Sequence, residues 1–145
     1  MKKILFLVCF ILILSCSSDD GERNTFLPNV SFNFQINLNL PEYVNLRVPG
    51  GIFVDRTAGR GIKGVIIYNQ NDQQFFAYEL SDPNLDPNLE CSTLSGTGTR
   101  FSSTCDGKEN IYDVAAFGQQ IKGEGGFPLL GYRAVKEGNT VFVSN

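Results

Sequence analysis

The chain has few side chains able to do chemistry, and one absence settles much of it: among 145 residues there is no histidine. That excludes Ser–His and Cys–His nucleophilic pairs, and every metal site built on imidazole. The cysteines are Cys9, Cys16, Cys91 and Cys105. Paired carboxylates can serve as general acid and base in glycoside hydrolysis. The sequence marks no such pair, so no catalytic residue is assigned and an enzyme is not expected. Asp82-Pro83-Asn84-Leu85 is followed at once by Asp86-Pro87-Asn88-Leu89 and Glu90, so carboxylates recur every four residues. Oxygen ligands at that spacing suit a hard cation such as calcium. The loop lacks EF-hand spacing, however, and Asp-Pro-Asn is turn chemistry: Asp bonds local backbone and Pro fixes φ. Turns are therefore expected, and no metal ligand is named. Gly96-Thr97-Gly98 and Gly123-Glu124-Gly125-Gly126 are glycine-rich. Neither lies between a strand and a helix start, where backbone amides cradle phosphate, so both are read as turns.

The N-terminus assigns one cysteine. Lys2 and Lys3 precede an apolar run, Ile4 to Leu14. That run is too short to span a bilayer, which takes about 20 residues, but it fits the core of a signal peptide. It ends in Ile13-Leu14-Ser15-Cys16, which resembles the lipobox of bacterial lipoproteins. In those proteins the cysteine is acylated (palmitate) and the preceding peptide bond is cut. The resemblance implies a signal peptide over residues 1–15, a lipidated tether over 16–28 beginning at Cys16, and a single domain over 29–145. The site of action would be the cell envelope, lipid-anchored, in the periplasm or on the outer-membrane surface. Ser17 to Asn24 has no apolar residue to pack, as a tether requires. Its Asp19-Asp20 pair resembles the surface-export signals of Bacteroidetes lipoproteins. Loss of Lys2 and Lys3 takes the formal charge from −3 to −5. Such acidity argues against nucleic acid as a partner. With no polybasic patch, contact with the membrane is assigned to the lipid, and any protein partner is unknown. Once Cys9 is removed and Cys16 acylated, Cys91 and Cys105 remain; in an oxidising compartment they are expected to pair as a disulfide.

The elements that would position these residues read as strands. From Ser31 to Leu40, Phe32, Phe34, Ile36, Leu38 and Leu40 alternate with polar residues, as in a half-buried strand. Pro41 ends it. Tyr43 to Val48 alternates more briefly and is read as strand, followed by a turn at Pro49-Gly50-Gly51 and a strand at Ile52 to Val54. Gly64–Asn69 and Gln74–Leu80 flank a polar turn and read as a hairpin. Asn110–Val114, Leu130–Val135 and Thr140–Val143 are later strands, the last two joined by a turn at Glu137-Gly138-Asn139. Ser92 to Thr104 offers only Leu94 and Phe101 for packing and is read as a loop that a Cys91–Cys105 bridge would close. No helical period exceeds two turns. The expected class is all-β, a small antiparallel sandwich or barrel.

With Cys105-Asp106-Gly107, Tyr112-Asp113, and Gly123 followed by Pro128-Leu129 and Tyr132, the chain from Cys105 onward resembles the second half of a Rieske-type [2Fe-2S] domain. The family runs Cys-Pro-Cys-His-Gly-Ser-x-Phe-Asp, then Gly-Pro-Ala-x-x-Pro-Leu-x-x-Tyr, then a closing hairpin. This chain has Cys105-Asp106-Gly107 and Ile111-Tyr112-Asp113. It continues Gly123-Glu124-Gly125-Gly126-Phe127-Pro128-Leu129-Leu130-Gly131-Tyr132, then Val141-Phe142-Val143. With the Gly64–Leu80 hairpin, the resemblance covers residues 60–143. It implies a loop tip, but the ligands are lost. If Cys91 and Cys105 stand for the ligand cysteines, Thr93 and Lys108 hold the imidazole places. In the preferred register, Asp82-Pro83-Asn84 stands at the first Cys-x-His and Cys105-Asp106-Gly107 at Cys-His-Gly. Cys91 and Cys105 are then the family's extra, loop-bridging pair. The third-loop proline is replaced by Glu124. Either register implies no ordinary cluster and hence no cofactor. Three functions are compatible: a structural or binding module of the envelope; electron transfer through a non-standard [2Fe-2S] cluster helped by Asp82 or Asp106, or by a dimer's thiolates; or an adhesin whose Phe75, Phe76, Tyr78, Phe127 and Tyr132 stack on a ligand.

Overall fold

The computed structural model describes Asn24 and residues 26–145. The expected signal peptide at residues 1–15, Cys16 and Asp19-Asp20 lie outside the described residues. The fold is all-β. Ten strands run in order: β1 (Asn33–Asn37), β2 (Ile52–Asp55), β3 (Val65–Asn69), β4 (Phe75–Glu79), β5 (Ser95–Thr97), β6 (Arg100–Cys105), β7 (Lys108–Asp113), β8 (Gln119–Lys122), β9 (Gly131–Glu137) and β10 (Thr140–Ser144). They form two antiparallel sheets, one ordered β1-β10-β9-β4-β3-β2 and a smaller one ordered β5-β6-β7-β8. Among the described residues no helix is long and apolar enough to cross a membrane.

The hydrophobic pattern explains the layering. In β1, Phe34 and Ile36 are buried and Asn33, Gln35 and Asn37 exposed, with Phe32 and Leu38 continuing the buried face on either side. That face packs with Val65, Ile67, Phe75, Ala77, Tyr132, Val141 and Val143 in one core cluster. The six-stranded sheet thus curls until its two halves face each other. The β3 run Val65–Asn69 is buried at every position. Its other face, Ile66 and Tyr68, packs with Tyr78, Leu80, Leu94, Phe101, Tyr112, Val114 and Leu129 in a second cluster beneath the small sheet. A strand buried on both sides has no polar face to show, hence its continuous apolar run.

Two expectations fail. Tyr43 to Val48 is not a strand: Pro41–Arg47 is a 3-10 segment with Pro in its first turn and with Tyr43 and Leu46 buried. Residues three apart share a face in that geometry, and Pro is preorganised for a helical start. Ser92 to Thr104 is not merely a loop either. It contains β5 and β6, with Leu94 fully buried and Phe101 nearly so. In β6, Phe101, Ser103 and Cys105 form the buried face, so a strand of Ser and Thr is held by two apolar anchors and a cross-link.

Candidate functional site

At one end of the large sheet, three loops converge on a buried carboxylate. The first runs from Ser81 to Leu94, the second is the β6–β7 turn at Asp106-Gly107, and the third spans Gly123 to Leu130. The base of the first loop is pinned by backbone: Asp82 N donates to Ser92 O (2.7 Å), Leu94 N to Leu80 O (2.8 Å), and Ser81 bridges to Thr93. Lys63, from the β2–β3 connection, reaches across to donate to Ser92 Oγ at 2.8 Å and Leu89 O at 2.5 Å.

Asp82 is fully buried. Its Oδ1 accepts from Asn84 N (2.8 Å) and from the Tyr112 hydroxyl (2.6 Å). Its Oδ2 accepts from Asn110 Nδ2 (2.9 Å) and from the Ser103 hydroxyl. An ionised carboxylate offers about four acceptor sites, and all are filled by protein donors. The network extends outward. Asn84 Nδ2 donates to the Tyr112 oxygen (2.9 Å) and to Phe127 O (3.0 Å), while Asn84 Oδ1 accepts from Phe127 N. Asn110 Oδ1 accepts from Glu124 N at 3.0 Å. These contacts explain the third loop's glycines. A Cβ at Gly123 would collide with Asn110 at 2.0 Å, and one at Gly125 with Asn84 at 2.2 Å. Burial first, then the hydrogen bond to Asp82, raises the Tyr112 pKa and keeps the phenol a donor.

The Asp-Pro-Asn repeat does make turns: Asp86 Oδ1 accepts from Asn88 N at 2.8 Å, as Asp82 does from Asn84. Only the first copy is buried. Cys91 and Cys105 form a disulfide with a Cα–Cα distance of 5.4 Å, tying the outer part of the first loop to the β6–β7 turn. Asp82, Asn84, Cys91, Cys105 and Asp106 are thus brought to one tip. Asp106 is exposed there, at φ 50°. Lys108 is also exposed and pairs with Glu124 at 2.9 Å. Thr93 lies at the base of the first loop rather than at its outer end. Of the aromatics that could stack on a ligand, Phe75, Tyr78 and Tyr132 are buried in the core.

The sequence reading missed Ser103, Asn110 and Tyr112, the partners of Asp82 across the small sheet. It also missed a second buried carboxylate near the tip. Glu79, fully buried, accepts from Ile62 N, Lys63 N, Ser81 N and the Tyr132 hydroxyl. An acid at the end of the aromatic strand β4 was the signal available.

No model of a known protein family matches the chain, and no curated protein matches it. Among solved structures the chain is similar to one titled as a complex of reduced oxygenase and oxidized ferredoxin in carbazole 1,9a-dioxygenase. The TM-score is 0.47 at 16% identity, covering 81% of this chain and 94% of that chain.

Proposed function

We propose that the protein is a lipid-anchored module of the cell envelope whose domain is Rieske-like but built without a cluster, so that it binds or scaffolds a partner rather than carrying electrons. The supporting observation is the Asp82 network. In the register that makes Cys91 and Cys105 the bridging pair, Asp82 stands where the first ligand cysteine would be. Counting back two positions from Cys105 in Cys-Pro-Cys-His-Gly puts Ser103 at the second. These two side chains hydrogen-bond to each other. Asn84 and Asp106 take the imidazole places.

A [2Fe-2S] centre of this type needs thiolate and imidazole donors, and the residues present do not fit it. Asp82 has its acceptor positions filled, Ser103 and Asn84 are committed to protein partners, and only thiolates, not disulfide sulfurs, bind metal. The other register, with Cys91 and Cys105 as ligands, consumes both thiolates in the disulfide. The tip is therefore a polar plug: the Asp82 network fastens the first and third loops, and the disulfide ties the β6–β7 turn to them.

Two measurements test this reading. Cys16→Ala is expected to move the protein out of the membrane fraction or leave the precursor uncut; fatty-acid labelling that persists in the variant refutes the anchor. Anaerobic reconstitution with ferrous iron and sulfide is expected to leave no visible charge-transfer bands. Stable bands at stoichiometric iron refute the cluster-free reading.

A further inference from the structure

The N-terminal segment and the loop tip meet at the same end of the domain. β1 pairs with β10, Asn33 opposite Ser144 and Asn37 opposite Thr140. β10 returns through Gly138 to β9, and Tyr132 of β9 lies opposite Ala77 of β4. The beginning of β1, the end of β4 and the start of β9 therefore share the end that carries the tip. The turns at 70–74 and 138–139 and the Pro41–Arg47 segment share the other.

The contact between them is direct. Asn24 Nδ2 donates to Pro83 O at 2.6 Å, and Asn24 Oδ1 accepts from Phe26 N at 2.9 Å. Phe26 lines a cleft of about 450 Å³ on the tip with Leu85, Leu89, Cys105, Lys108 and Glu124. Phe26 is 48% and Leu89 46% exposed. Asn24 lies eight positions beyond Cys16, and a chain of that length reaches at most about 28 Å. The tip is thus leashed close to the lipid, where its effective concentration at the bilayer is high. Two half-exposed apolar side chains beside the leash gain by leaving water. Asp86, Glu90 and Asp106 are exposed around them, which disfavours anionic headgroups and leaves an uncharged or zwitterionic surface as the match.

Building on the lipid anchor of the proposed function, we infer that the loop tip rests on the bilayer that holds the anchor, with Phe26 and Leu89 in contact with lipid. The opposite end, where Val44 and Val48 are exposed, faces away from the bilayer.

The sequence has no tryptophan, so a single introduced indole reports position. The test uses the full lipidated chain in phosphatidylcholine vesicles containing brominated acyl chains. Leu89→Trp and, independently, Phe26→Trp are expected to shift to the blue and lose most of their emission. Val44→Trp, at the far end, is expected to keep its emission. Quenching confined to Val44→Trp, or equal at both ends, overturns the orientation, as does an unquenched tip on a chain that floats with the vesicles. A wild-type chain that fails to float refutes the anchor itself, which separates the two failures.

Discussion

Replacing Asp82 by Asn keeps the shape of the side chain and removes its charge. If the new amide Nδ2 takes the place of Oδ2, it meets Asn110 Nδ2, donor against donor. Asn110 cannot flip without losing Glu124 N, which its Oδ1 accepts. If the amide turns over, Asn84 N and the Tyr112 hydroxyl lose their shared acceptor. Either way at least one buried donor is orphaned, at about 1–3 kcal/mol, and the remaining bonds lose charge assistance. Burying a neutral amide is easier than burying a carboxylate, and in a pliable site that gain can dominate. Here the Tyr112 hydroxyl and the Asn110 amide are each held as donors by a second bond and Asn84 N can only donate; the Ser103 hydroxyl alone can turn to accept, so the loss wins. The expected destabilisation is about 3 kcal/mol, within the 5–15 kcal/mol typical of a domain. Asp86→Asn is the internal control, being the same Asp-Pro-Asn turn on the surface; its cost should stay within about 0.5 kcal/mol. Urea unfolding with the disulfide intact, read as a midpoint shift at constant slope, measures both. Equal costs for the two variants, or a neutral Asp82→Asn, would refute the reasoning.

Three further outcomes follow from the same geometry. Phe34 is 7% exposed and carries the Arg60 guanidinium over its ring at 4.3 Å, so Phe34→Ala should cost about 3–5 kcal/mol, and Gln35→Ala on the exposed face within about 0.5 kcal/mol; chemical denaturation that finds equal losses contradicts the one-sided strand. The Cys91–Cys105 bridge spans a sequence separation of 14, and the Cys91→Ser, Cys105→Ser double variant should lose about 3 kcal/mol, while thiol titration of the unreduced, denatured mature domain should find no free cysteine. Burial raises the pKa of Tyr78 to about 12, and burial with a carboxylate neighbour raises those of Tyr112 and Tyr132 further. The unfolded chain therefore gives up these protons first: stability should be intact below pH about 10 and fall above it by up to about 4 kcal/mol per pH unit, and tyrosinate absorbance that develops fully near pH 10 in folded protein would contradict it.

Much of the fold was legible because burial leaves a period. Phe32 to Leu38 alternates and sits in β1 and its flanks, and the unbroken run from Val65 to Tyr68 marks a strand with cores on both faces. The segment around Tyr43 and Leu46 misleads because over six residues a 3-10 spacing resembles a short alternation. The small sheet was half hidden because β5 and β8 lie at its edges and show mostly polar side chains. The tip was legible at Asp82, Asn84, Cys91 and Cys105, where turn chemistry and cysteine pairing are local or countable. Ser103, Asn110 and Tyr112 were not, because what makes them part of the site is a single carboxylate reached from another loop. Hydrogen bonds between residues 21 to 30 positions apart leave no period in a sequence.

A carboxylate network and a disulfide hold this tip, and the proposed function puts them where a cluster would otherwise sit. Iron and acid-labile sulfide analysis, with a visible spectrum, of the full chain purified under non-reducing conditions tests it most directly. Iron and sulfide far below one equivalent and no visible bands are expected in a folded, disulfide-bonded protein. Stoichiometric iron and sulfide, with thiols released as the cluster is removed, would contradict it.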